Sequence, residues 1–135
     1  MPSTHTPLKP ANPHKVHTGW QRVVHATRNS WAGLQAAWRH ESAFRQESVL
    51  FALLLPLGLW LGQSWLERAV LIGVAALVLI VELLNSAVES SIDRISLDQH
   101  ELSKRAKDLG SAAVLVSLLL CAAVWVAALW ARWMP

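Results

Sequence analysis

Charge is what this sequence has least of. Asp, Glu, Lys and Arg make up 16% of its 135 residues, against roughly a quarter in an average soluble domain. Cysteine is nearly absent: Cys121 stands alone, cannot bridge internally, and excludes a disulfide scaffold. There is no glycine-rich phosphate loop of the GxxxxGK type and no internal repeat. Nor is there a basic cluster interleaved with aromatics, so a net charge of +3 and a pI near 9.6 do not indicate a nucleic-acid binder. Hydrophobic residues make up 53% of the chain, which excludes a disordered protein. The length allows one domain at most.

What is present is apolar sequence in long runs. No charged residue occurs from Ser48 to Leu66 or from Leu109 to Ala131, and Ala69 to Val88 carries only Glu82. Each run approaches the ~20 residues that cross a hydrocarbon core, which excludes a soluble enzyme. The reading is an all-α membrane protein with spans at about 48–66, 69–90 and 107–131. Pro56, inside the first span, removes one backbone bond and is expected to bend it. Gln63 to Arg68 is expected to form a tight turn, and 94–106 a loop.

Before the spans the character differs. Residues 1–18 hold Pro2, Pro7, Pro10 and Pro13 with three histidines and two lysines. Such a segment cannot build a core and is expected to be a mobile tail; it has no apolar run of the kind a secretory signal needs. In residues 19–40, Trp20, Val23, Val24, Thr27, Trp31, Leu34 and Trp38 recur at three- and four-residue steps. They line one stripe of a helix. A basic helix with tryptophans on its apolar side, directly before a span, lies in the membrane interface.

Orientation follows from the basic residues. Ten of the twelve lie before the first span or between the second and third, leaving only Arg68 and Arg132 at the opposite ends. The positive-inside rule then puts the N-terminus and the 91–108 loop in the cytoplasm and the C-terminus outside. Eight of the nine acids, all but Glu67, fall on the cytoplasmic half.

Glu82, Asn85 and Glu89, spaced i, i+3, i+7, share one helix face. Placing an acid in apolar sequence costs roughly 2.5–3.5 kcal/mol on insertion scales, which makes Glu82 a functional candidate. A carboxylate in low dielectric is a better base than one in water. Three helices are too few to shield it fully, so a neighbouring chain is expected to cover it. Glu89 lies one to two turns nearer the cytoplasm, and Glu41 stands where the surface helix meets the first span. Acids converging near the membrane surface can hold Mg²⁺ together with phosphate oxygens. Lys107 and Asp108 open the third span, where a helix N-terminus beside a lysine suits phosphate. These residues alone do not name ATP or a lipid, and a proton or ion transporter subunit has similar raw materials.

The ordered string goes further. Glu41-Ser-Ala-Phe-Arg-Gln-Glu47, Val81-Glu-Leu-Leu-Asn-Ser-Ala-Val-Glu89 and Ser103-Lys-Arg-Ala-Lys-Asp-Leu-Gly-Ser-Ala-Ala113 resemble the signatures of bacterial diacylglycerol kinase, over about residues 19–132. The resemblance implies a homotrimeric inner-membrane enzyme with a surface helix and three spanning helices. Its active sites would form between subunits. Its activity would be Mg²⁺-dependent transfer of the ATP γ-phosphate to diacylglycerol, giving phosphatidic acid and returning diacylglycerol to phospholipid synthesis. By motif, Glu82 would be the general base, and Glu41 and Glu89 would hold metal and ATP. Arg22, Asn29, Asp98, Gln99, His100, Lys107 and Asp108 would line the nucleotide, with Glu101 in the same loop. Ser30, Trp31, Trp38, Phe44, Arg45, Gln46, Glu47, Asn85 and Ser111 would serve the lipid side or support it. Two positions depart from the family pattern: Asn29 replaces an aromatic and Lys104 a small residue. Undecaprenol kinase, a related activity on a long polyprenol, is the alternative within the same class.

Overall fold

The computed structural model describes residues 19–95 and 100–134, and the N-terminal tail lies outside them. Four helices follow in order: α1 (Trp20–His40), α2 (Ser42–Leu61), α3 (Trp65–Ile95) and α4 (Glu101–Trp133). Among the described residues there is no strand. The chain divides into two compact units, residues 1–35 and 36–135.

In the first unit, α1 carries its apolar stripe as expected. Trp20, Val23, Val24, Trp31 and Leu34 are all exposed, as an interfacial helix requires. The helix continues into the second unit and stops at His40, where Glu41 takes an extended backbone (φ −105°, ψ 112°).

The second unit is three helices, each long and apolar enough to cross a membrane. α3 is the central one, packing on both α2 and α4, while α2 and α4 scarcely touch. The core is small: Leu61, Leu71, Ala75, Val78, Cys121 and Trp125. Trp125 is its keystone. Its indole nitrogen donates to the Leu71 carbonyl at 3.2 Å, giving a polar atom at membrane depth the partner it needs. Gly58 of α2 faces the same ring, and a Cβ there would already touch Trp125 and Ile72 at 3.4 Å. Replacing Trp125 by Ala is expected to cost about 3–5 kcal/mol, the usual range for emptying a buried aromatic site. Denaturation from detergent micelles by SDS reads this loss.

The helices depart from the expected spans at their ends. α2 stops at Leu61, where Gly62 turns to an extended backbone (φ −65°, ψ 126°), although the charge-free run continues through Gly62, Gln63 and Ser64. The turn is shorter than the expected 63–68. Ser64 and Glu67 form a reciprocal capping box that starts α3 at Trp65. The Ser64 hydroxyl accepts from the Glu67 N–H at 3.1 Å, and the Glu67 carboxylate accepts from the N–H groups of Gln63 and Ser64. Arg68 closes the turn by donating to the Gly62 carbonyl at 2.9 Å. Gly62 has no room for a side chain, since a Cβ would lie 2.6 Å from Arg68 Cγ. The expected 94–106 loop is also shorter, because α3 runs to Ile95 and α4 begins at Glu101. Polar sequence ends a hydrophobic span without ending a helix. α2 continues through Pro56.

Candidate active site

Most of the polar groups of interest lie along α3. Residues 65–95 contain no proline, and Gly73 is the only glycine, so the helix keeps its register from the capping box to the polar end. That register puts Glu82, Ser86, Glu89 and Asp93 at four- and three-residue steps on one face, with Asn85 beside them. Glu82 is 5% exposed, and Ser86 is buried with it. The expectation that three helices would leave Glu82 open was therefore wrong. α2 and α4 flank the face closely enough to cover the side chain within one chain.

The seam is dense with negative charge. The charges of Glu89 and Glu41 both bear on Glu82, and that of Glu82 bears on Glu47. Four carboxylates from α2, α3 and the α1–α2 junction thus act on one another. Glu41 occupies the N-cap of α2, but its side chain makes no capping hydrogen bond, leaving the carboxylate for other work. Asn85 bridges along α3, its amide nitrogen donating to Glu89 at 3.1 Å. The Asn85 carbonyl oxygen and one Glu47 carboxylate oxygen are buried with no hydrogen-bond partner, a costly arrangement that marks a place prepared for a further group. α4 approaches this point through Gly110, where a Cβ would collide with the Asn85 carbonyl oxygen.

At the polar end of α3, Lys107 of α4 reaches across to it. Its ammonium pairs with Asp93 at 2.5 Å, and the charge of Glu89 also acts on it. The expectation that Lys107 and Asp108 open a helix is not met: α4 begins at Glu101, so Lys107 lies nearly two turns inside it, and the helix start itself is capped by His100, whose Nδ1 accepts from the Leu102 N–H at 3.2 Å. His100, read from sequence as a nucleotide residue, thus also serves the helix. Arg45 donates to the carbonyls of Trp38 and Arg39 at 3.0 and 3.3 Å, satisfying the end of α1.

The other predicted residues divide plainly. Phe44 is buried. Gln46, Trp38, Asp108 and Ser111 are exposed. Arg22, Asn29, Ser30 and Trp31 are exposed on α1 in the first unit. Asp98 and Gln99 lie outside the described residues. Among the described residues, no three His, Cys, Asp or Glu side chains form a ready metal cage. That does not disfavour Mg²⁺, which takes one or two carboxylates and completes its shell with water and phosphate. The donor set fits it: hard oxygens from Glu41 and Glu89, in a group of like charges whose repulsion a divalent cation relieves.

Comparison with known proteins adds an independent line. Residues 28–129 match the family profile of prokaryotic diacylglycerol kinase. The chain is 47% identical over 115 residues to the diacylglycerol kinase of Escherichia coli K12, covering 85% of this chain and 94% of that protein. It is 50% identical over 114 residues to the Pseudomonas aeruginosa diacylglycerol kinase (84% and 93% covered). With the Helicobacter pylori protein of the same name it shares 38% over 107 residues (79% and 84%).

Proposed function

Because the chain belongs to the prokaryotic diacylglycerol kinase family, we propose that it transfers the γ-phosphate of ATP to the free hydroxyl of diacylglycerol, yielding phosphatidic acid and ADP. The observation that carries the reading is Glu82: a carboxylate 5% exposed inside a spanning helix, with the carboxylates of Glu89 and Asp93 about two and three turns along the same face and Lys107 of α4 paired to the second of them.

Phosphoryl transfer asks a protein mainly for positioning and charge neutralisation. Glu82 accepts the proton of the lipid hydroxyl as the new P–O bond forms and the bond to the ADP oxygen breaks. Its burial keeps bulk water from competing as nucleophile. Glu41 and Glu89 would hold Mg²⁺, which would supply charge neutralisation at the phosphates. The Asn85 amide fixes Glu89 through their hydrogen bond, and its unpartnered carbonyl oxygen is free to accept from a substrate hydroxyl. Lys107 supplies a cation to the phosphates. His100 and Asp108 contact the nucleotide, as their motif positions imply. The exposed tryptophans of α1 hold it at the interface from which lipid enters. The chain is an inner-membrane protein. The placement of the N-terminus in the cytoplasm is supported by its basic residues, and a homotrimer by its family.

The decisive assay supplies purified chain in lipid nanodiscs with labelled ATP and either diacylglycerol or undecaprenol. Labelled phosphatidic acid is expected. Label on the polyprenol alone would make the chain an undecaprenol kinase, and ion flux without any transfer would make it a transporter.

A further inference from the structure

We propose that Asp93 is a positioning residue of this kinase: its carboxylate holds the Lys107 ammonium over the polar seam, so that the phosphates meet a cation already in place. Neither the chain's motifs nor its nucleotide contacts assign Asp93 a role. The inference rests on the reading of Lys107 as a phosphate-binding residue.

Three observations carry it. Asp93 lies four residues beyond Glu89, one turn along the same face of α3, so it extends the seam to the level of Lys107 on α4. Its Oδ1 accepts from Lys107 Nζ at 2.5 Å, a contact joining positions fourteen residues apart in sequence. The ammonium it holds also feels the charge of Glu89, one of the two acids placed at the metal. A lysine near the start of a helix has a long side chain and every freedom to extend into water. Here it is drawn back onto a carboxylate of α3 instead. An ammonium has three donors, so binding Asp93 leaves others to meet phosphate.

The pair is partly exposed on both sides, 39% for Lys107 and 51% for Asp93. An exposed pair adds little to stability, so neutralising Asp93 leaves the fold intact. Its effect lies in orienting the lysine before substrate arrives, which lowers the cost of binding rather than the barrier to transfer.

The test is steady-state kinetics of the full-length protein in nanodiscs, with MgATP varied at saturating diacylglycerol. D93N is expected to raise KM for MgATP about three- to fivefold, the scale of an exposed ion pair, with kcat within about twofold of the wild type. D93E keeps the charge and is expected to restore KM. K107M is expected to raise KM by about tenfold or more, the scale of a hydrogen-bonded charge on phosphate. In the K107M background, D93N should add nothing, because there is no ammonium left to place. An unchanged KM in D93N, a D93E as impaired as D93N, or an undiminished D93N effect in K107M overturns the inference alone. An unchanged KM in K107M overturns the assignment of Lys107, and the inference with it.

Discussion

Glu82→Gln is expected to lower kcat for lipid phosphorylation by about 10³, within the 10²–10⁴ that a positioned general base contributes, while KM for MgATP stays near the wild-type value. The amide is close in size and hydrogen-bonds as readily, so the buried site between α2, α3 and α4 stays filled. It cannot take the hydroxyl proton. Stability is expected to move the other way. Glu82 stands among Glu41, Glu47 and Glu89, and removing one charge from a repelling group relieves the fold. An E82Q protein that is equally or more resistant to denaturation and nearly inert is the signature of a carboxylate retained for chemistry. A fully active E82Q would remove the base assignment.

The second large effect is expected at Glu89. Glu89→Ala takes away the oxygen proposed for the metal, the acceptor of the Asn85 amide at 3.1 Å and a charge acting on Lys107. The Mg²⁺ concentration giving half-maximal activity should rise about 10- to 100-fold, the range seen when a metal's supporting groups are lost. Glu89→Gln separates the contributions, since its amide oxygen still accepts from Asn85 but carries no charge. It should hold Asn85 in place and still require more magnesium. A magnesium titration of E89A that superimposes on the wild type would remove Glu89 from the metal.

Both predictions concern residues that could be picked out in the sequence, and the reason is physical. An acid in an apolar run is costly, so Glu82 is conspicuous. Helical spacing alone then assigns Asn85 and Glu89 to its face. The helix ends were less legible because hydropathy reports where charge stops, whereas a helix stops where its backbone is capped. The Ser64–Glu67 box and the His100 cap lie in polar sequence that a span-based reading assigns to loops. The shielding of Glu82 was also hidden, since it depends on how closely α2 and α4 pack on α3. Asp93 lies at the polar end of α3, but its pairing with Lys107 needs the two helices side by side. The one signal for it was its four-residue step from Glu89.

α3 also acts as a ruler. Glu82 follows Trp65 by seventeen residues of unbroken helix, about 25 Å at the α-helical rise. Trp65 is 78% exposed at the far end, where an indole anchors at the lipid–water boundary. A hydrocarbon core is about 30 Å deep, so a helix pinned at one rim delivers the carboxylate just short of the other. That is the depth of the glycerol hydroxyl of a diacylglycerol in the leaflet on that side. Glu89 and Asp93 then stand in the headgroups or beyond. The chain fixes only the length of this rod, and the acyl chains of the host bilayer fix how far away the hydroxyl lies. The thickness of the membrane is in this sense part of the catalytic geometry.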